Sequence, residues 1–225
     1  PFNPSIYQFN PKLVRNFKKA YSDMEKTDPI DAFVITDRLR FGRLPEPYES
    51  HRPYLPLRRL TRYRFHLVKA ISREKAYFIT HLYLKFSAFS LEKPFASLFG
   101  ATSLALITEF SPDELVHLPL EDLTQFIIKN GKNRFKDPEK IVEALQRAAR
   151  ESYRLRPALS SSIDLILATI LQTLRALGEA LKEVDKAIEK EFQAFPNTLQ
   201  SIKGIGPVYS AGIFSEIGDI HRFHT

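Results

Sequence analysis

Cysteine is absent from the sequence. That excludes disulfides, thiol catalysis and cysteine metal sites, and it fits a reducing, cytoplasmic compartment. No apolar run approaches the roughly 20 residues needed to span a bilayer, so no membrane partner is expected. No signal peptide precedes the chain. The first residue is Pro1 rather than Met, and the chain reads as a fragment or processed product with an upstream part missing. What is present is 225 residues with 44% hydrophobic content. That is enough for a packed core and for one large or two small domains.

The net charge of +7 is unevenly spread. Residues 1–91 hold 17 Lys and Arg against 8 Asp and Glu, whereas residues 92–225 hold 16 against 18. A basic N-terminal part beside a slightly acidic remainder points to a polyanion partner, most often nucleic acid. A solvated basic surface is the alternative.

Residues Ile6–Phe9 lie between two Asn-Pro dipeptides and read as a short strand. Pro11 opens a helix with Leu13, Val14, Phe17 and Tyr21 on its apolar side. In Lys26-Thr27-Asp28-Pro29-Ile30-Asp31-Ala32, Asp28 reads as an N-cap and Pro29 as the first helical residue. Asp28 and Asp31 share one face. They could hold a divalent cation together, since Mg²⁺ is often bound by one or two carboxylates plus phosphate oxygens. Ordinary capping is the other reading. Residues 43–57 carry four prolines and read as an extended connector.

A long helix is predicted from about Leu57 to Leu91, with apolar residues at spacings of three, four and seven. Arg58, Arg62, Lys69 and Arg73 form another stripe of that helix, with Arg59 beside them. The window 52–75 holds eight basic residues and one acid, Glu74, interleaved with Tyr63 and His66. Such a stripe suits phosphate contacts and would make binding salt-dependent. Residues 92–156 read as a small helical module, with a capping box at Ser111-Pro112-Asp113-Glu114 and a helix start at Asp137-Pro138. The polar loop Asn130-Gly131-Lys132-Asn133-Arg134 either faces a backbone or belongs to a spacer. From Pro157 a third helix carries Ile163, Leu167, Ile170, Leu174, Leu177, Leu181, Val184 and Ile188 in steps of four and three. This is an unbroken coiled-coil heptad pattern. Its partner is either the basic helix of the same chain, antiparallel, or the same helix of a second chain. Gly178 inside it is expected to mark a close helix approach. Phe195-Pro196-Asn197 ends the rod.

The C-terminal stretch Lys203-Gly204-Ile205-Gly206-Pro207 places two glycines before a proline that suits the first turn of a helix. It is either a helix–hairpin–helix that grips a nucleic-acid backbone or a plain hairpin with a tight turn. Lys203, Gly204 and Gly206 are its candidate contacts.

Taken together, the segment from Lys26 to Ala32 and the later Ile202-Lys203-Gly204-Ile205-Gly206-Pro207…Ala211…Glu216-Ile217-Gly218-Asp219-Ile220…Arg222-Phe223 resemble the DEDD-type insertion-sequence transposases. These are recombinases guided by a bridge RNA. The resemblance is specific over 10–42 and 196–223. It implies a mainly α chain with three parts. Residues 1–50 are the remnant of an RNase H-like (RuvC-like) α/β domain. Residues 51–195 are long antiparallel coiled-coil helices with a helical insert. Residues 196–225 are a helix–hairpin–helix-like start of the C-terminal transposase domain. It further implies that Asp28 and Asp31 are the last two of four acids and act as catalytic Mg²⁺ ligands, with the first two upstream. DNA, a structured guide RNA and a homo-oligomer formed through the coiled coil are the implied partners. The family's serine nucleophile is expected beyond residue 225, and Ser210 and Ser215 are not assigned that role. The chain alone is expected to be catalytically inert. The alternatives from other classes are a non-enzymatic helix–hairpin–helix nucleic-acid-binding protein and a structural coiled-coil adaptor.

Overall fold

The structure is a computed structural model that describes residues 4–21, 24–45, 47, 53–195 and 198–218. Its described residues are mostly helical and contain no strand. The chain divides into two compact units, Pro1–Leu55 and Pro56–Thr225.

In the first unit, α1 (Pro11–Lys18) and α2 (Asp28–Phe41) pack against each other. Asn10 caps α1 by accepting from the Lys12 amide at 2.9 Å, and Pro11 fills the first helical position. The strand expected at Ile6–Phe9 does not form; these residues are irregular. A lone strand leaves its backbone groups unpaired, and no described segment pairs with it. The helix α2 starts one residue earlier than the sequence suggests. Thr27 takes the cap position without a side-chain bond, and Asp28 is the first helical residue. Gly42, at φ 82°, ends it in a conformation that L side chains rarely adopt. The interior of this unit is thin. Val34 is fully buried, and Phe17 meets Phe41 at 5.7 Å while the Arg38 guanidinium lies 5.5 Å from the Phe17 ring. Phe33, Ile35 and Phe41 remain exposed.

The second unit is built on two long helices. The first, α3 (Leu55–Lys85), begins inside the expected connector and ends six residues before the expected Leu91. The break at Phe86-Ser87-Ala88 is held by two serine hydroxyls, one in the break and one on the segment that crosses it. Ser152 Oγ accepts from the Ala88 amide and Ser87 Oγ accepts from the Tyr153 amide, both at 3.1 Å. Phe86 and Phe89 turn into the core there. A short α4 (Phe89–Glu92) follows, and then α5 (Ala101–Glu109), α6 (Pro112–His117), α7 (Leu120–Gly131) and α8 (Pro138–Glu151) form the expected helical module. The capping box at Ser111 and Glu114 forms in both directions. Asn130 and Gly131 belong to the end of α7 rather than to a loop, and the turn is made by Lys132 and Asn133 at φ 50° and 56°. A Cβ on Gly131 would lie 2.4 Å from the Phe135 ring, so the close packing of that ring requires glycine.

The second long helix is α9 (Pro157–Phe192). It is long and apolar enough by length and composition to cross a membrane, although polar residues interrupt its apolar run. Its apolar residues Ile163, Leu167, Ile170 and Leu171 are nonetheless buried in the protein's own core. There they join Phe78 and Leu82 of α3 and Leu115, Ile127, Val142 and Leu145 of the module. The opposite end of α9 enters a second, smaller core of Leu57, Ile188, Phe192 and Ala211. Two ion pairs set the direction of the long helices. Arg64 binds Asp185 at 2.5 Å and Lys85 binds Asp164 at 2.8 Å. From 64 to 85 on α3 and from 164 to 185 on α9 the interval is an equal 21 residues, so the helices run antiparallel in one register. Of the heptad row, Ile163, Leu167 and Ile170 share the larger core with Phe78 and Leu82 of α3, and Ile188 shares the smaller one with Leu57 of the same helix. Gly178 does not mark a close approach: nothing lies within 4 Å of a Cβ placed there.

The C-terminal segment has a single 3-10 turn (Leu199–Ser201) followed by α10 (Pro207–Ile217). Gly204 adopts φ 92° and Gly206 caps α10, with Pro207 at its first turn. Among the described residues of this segment, one 3-10 turn stands where a helix–hairpin–helix would have its leading helix. Pro196-Asn197 and the stretch Asp219-Ile220…Arg222-Phe223 lie outside the described residues.

Candidate functional site

Three regions hold the candidate residues. The first is the acidic pair. Asp28 and Asp31 both occupy the first turn of α2, where the helix dipole favours negative charge. Asp28 is exposed. Asp31 Oδ1 is bound by Lys18 Nζ at 2.6 Å, and the same ammonium donates to the Glu25 carbonyl at 3.1 Å. Lys18 is a partner that sequence reading missed. It was legible only as a polar residue of α1, because the contact depends on how α1 folds back on α2. Lys18 and Asp31 line an open groove of about 920 Å³ together with Phe9, Val14, Lys26 and Ile35. Nearby, Tyr21 Oη donates to Asp37, and that carboxylate raises the Tyr21 hydroxyl above the ordinary tyrosine pKa by hydrogen bonding. Two carboxylates at this spacing fit Mg²⁺ in donor type and number. No group of three or more metal-ligating side chains occurs among the described residues.

The second region is the basic stripe of α3, and the structure divides its members. Arg58 Nε donates to the Ser215 carbonyl at 2.6 Å and its Nη2 to the Glu216 carbonyl at 3.3 Å. These carbonyls lie in the last turn of α10, where a helix leaves acceptors unfilled. Arg58 therefore caps α10 from another helix. Arg62 binds the Glu216 carboxylate in a fork, at 2.7 and 2.9 Å. The arginine holds the Glu216 carboxyl below the usual glutamate pKa through these hydrogen bonds, and the carboxylate in turn raises the guanidinium. Arg64 is committed to Asp185. Arg59, Lys69 and Arg73 remain on the exposed side. Lys69 Nζ lies 4.4 Å from the Phe65 ring, and Arg73 approaches its neighbour Glu74 at 3.8 Å. Glu216 is the residue that sequence reading left without a role. The signal was the charge contrast between the basic first part and the acidic second part, which signals internal pairing as readily as an external polyanion.

The third region is the turn Lys203-Gly204-Ile205-Gly206. Lys203, Gly204 and Gly206 are exposed. The side of α10 opposite the turn is fixed by Ala211 and Phe214 in the second core, with Phe192 and Phe195 against Phe214 at 5.8 and 5.0 Å. The turn is thus mounted on the end of the two-helix rod.

Comparison with known proteins gives two family matches. Residues 4–87 match the DEDD transposase model of the IS110 type, described as "Transposase". Residues 197–225 match the model described as "Transposase IS116/IS110/IS902 family". No curated protein and no solved structure matches. The first match includes the acidic pair and the whole of α3; the second includes the glycine turn and α10. The chain belongs to the DEDD transposases of the IS110 family.

Proposed function

We propose that this chain serves DNA transposition by cleaving and rejoining DNA strands as part of a guide-RNA-directed recombinase. The observation that carries this reading is the place of Asp28 and Asp31. They fall inside the matched DEDD segment and three residues apart on the first turn of one helix, a spacing that supports joint binding of one cation. Asp28 and Asp31 would hold Mg²⁺, which supplies Lewis-acid polarisation of a phosphoryl oxygen when bound. Lys18 holds the Asp31 carboxylate at the groove through their 2.6 Å ion pair. The exposed side of α3, with Arg59, Lys69 and Arg73, contacts the phosphate backbone of DNA or of a structured guide RNA. Arg58 and Arg62 position α10, and Lys203, Gly204 and Gly206 approach a second stretch of backbone from the turn. Assembly into a homo-oligomer through the rod belongs to the same proposal; Leu159 and Leu165 of α9 are exposed apolar residues available to it.

The test has two parts. With Mn²⁺ as a paramagnetic probe, NMR signals of residues around Asp28 and Asp31 broaden, and the Asp28→Asn/Asp31→Asn double variant loses that broadening. In the intact transposase of the element, either single substitution removes metal-dependent DNA cleavage while leaving DNA binding in place. Cleavage at the wild-type rate by both variants would overturn the assignment.

A further inference from the structure

Arg59, Tyr63, His66, Arg73, Tyr77 and His81 follow one another along α3 at steps of four, three, seven, four and four, which places them on one side of the helix. The buried Leu57, Leu67, Phe78 and Leu82 lie on an adjoining side of the same helix. Tyr63 and Tyr77 are 51% and 59% exposed. Each is paired with a histidine. Tyr63 stacks on His66 at 6.0 Å with the rings 17° from parallel, and Tyr77 meets His81 at 4.7 Å. The His81 ring is further fixed by a 2.9 Å contact between Nδ1 and the Tyr77 carbonyl. The Arg73 side chain between the two pairs is 76% exposed. Lys69 flanks them, and the only acid of α3, Glu74, is partly buried.

We infer that this side of α3 is a stacking rail for a single-stranded segment of nucleic acid. The inference rests on the nucleic-acid reading of α3 given above and adds which form is bound. Phosphate contacts alone need only cations. Two exposed aromatic pairs among those cations do work that a duplex does not require, because a duplex keeps its base faces stacked inside. Unpaired bases have free faces, and stacking on aromatic side chains beside a basic track is how single strands are held without sequence preference. From Tyr63 to Tyr77 the helix rises about 21 Å at 1.5 Å per residue, so the two pairs meet separate bases of one strand while Arg73 meets the backbone between them.

The experiment uses the whole chain and fluorescein-labelled single-stranded RNA, single-stranded DNA and their duplexes. Binding is read by anisotropy at two salt concentrations. Single strands bind more tightly than the duplexes. Tyr63→Ala and Tyr77→Ala each weaken single-strand binding about tenfold without changing the salt slope, and leave duplex binding unchanged. Tyr63→Phe and Tyr77→Phe retain it. Both tyrosines are exposed and alanine favours helix, so the variants fold, as far-ultraviolet circular dichroism checks. A preference for RNA or for DNA tells which strand the rail carries and supports the inference either way. Equal single-strand and duplex affinity, with tyrosine variants unchanged, overturns it. If Arg59→Gln/Arg73→Gln then still weakens all ligands, the backbone reading of α3 survives alone; if that variant is also silent, both readings fall. If Tyr63→Ala/Tyr77→Ala leaves nucleic-acid binding intact but dissociates a dimer in sedimentation velocity, the face joins two copies of the chain and the rail is refuted.

Discussion

Replacing Phe192 by alanine tests the claim that the second unit has two cores that can open separately. Phe192 is 2% exposed and sits among Leu57, Ile188 and Ala211, with its ring 5.8 Å from that of Phe214. Truncating a buried phenylalanine costs about 3–5 kcal/mol from lost transfer energy and the cavity left behind. Among the described residues this core has four buried members, and Val208, Ala211 and Phe214 attach α10 to it. The loss therefore falls on the docking of α10 and the glycine turn. The larger core around Leu115, Ile127 and Leu145 lies at the other end of the rod and shares no member with it. The expected result is selective. Native-state hydrogen exchange in α10 accelerates by about two to three orders of magnitude, since each 1.4 kcal/mol of opening free energy is tenfold, while α6, α7 and α8 keep their protection. Leu115→Ala gives the converse pattern. Uniform acceleration of both regions by Phe192→Ala would refute the two-core description, as would an α10 unaffected by it.

Three further outcomes follow from particular contacts. Ser111 donates its backbone N–H and its hydroxyl to Glu114, at 2.7 and 2.8 Å, and these bonds hold the Glu114 carboxyl below the ordinary glutamate pKa. Because the folded-state value is lowered, this stabilisation is present above the unfolded-state pKa and is lost as pH falls through the folded one. Ser111→Ala should cost about 1 kcal/mol near neutral pH and flatten the acid limb of a Tm-against-pH curve. Lys85 is 8% exposed and donates to the Ile107 carbonyl at 2.7 Å; its 2.8 Å contact with Asp164 is a charge contact, since no donor is aligned on that buried Oδ1. Lys85→Met should lower stability by about 1–3 kcal/mol in urea unfolding, with part regained when Asp164 is also made apolar. Gly204 has φ 92° with open space around its Cα, so Gly204→Ala should cost about 1 kcal/mol through backbone strain alone, seen as faster exchange at the turn without loss of α9 protection.

Much of the helical layout follows from local chemistry that a reader of the sequence can see. Prolines at positions 11, 138, 157 and 207 open helices because their missing N–H falls where no intrahelical bond is made. Ser111 and Glu114 form their capping box from side chains three residues apart. The heptad row of α9 is a property of spacing alone. The break after Lys85 was hidden, because Phe86 and Phe89 continue the apolar spacing while the hydroxyls that hold the break come partly from Ser152, far along the chain.

The candidate site divides along the same line. The sequence by itself determined that Asp28 and Asp31 would share a helix turn, that a positive-φ glycine would precede Pro207, and that α3 would carry basic residues. Tertiary structure alone decided what those charges do. Arg58 and Arg62 are spent on the end of α10, Arg64 on Asp185, and Lys18 on Asp31, through contacts between segments distant in the chain. A charge is a local property, but its partner depends on which helix the fold brings within about 3 Å, and only the three-dimensional packing of α3, α9 and α10 separates structural arginines from those left facing solvent.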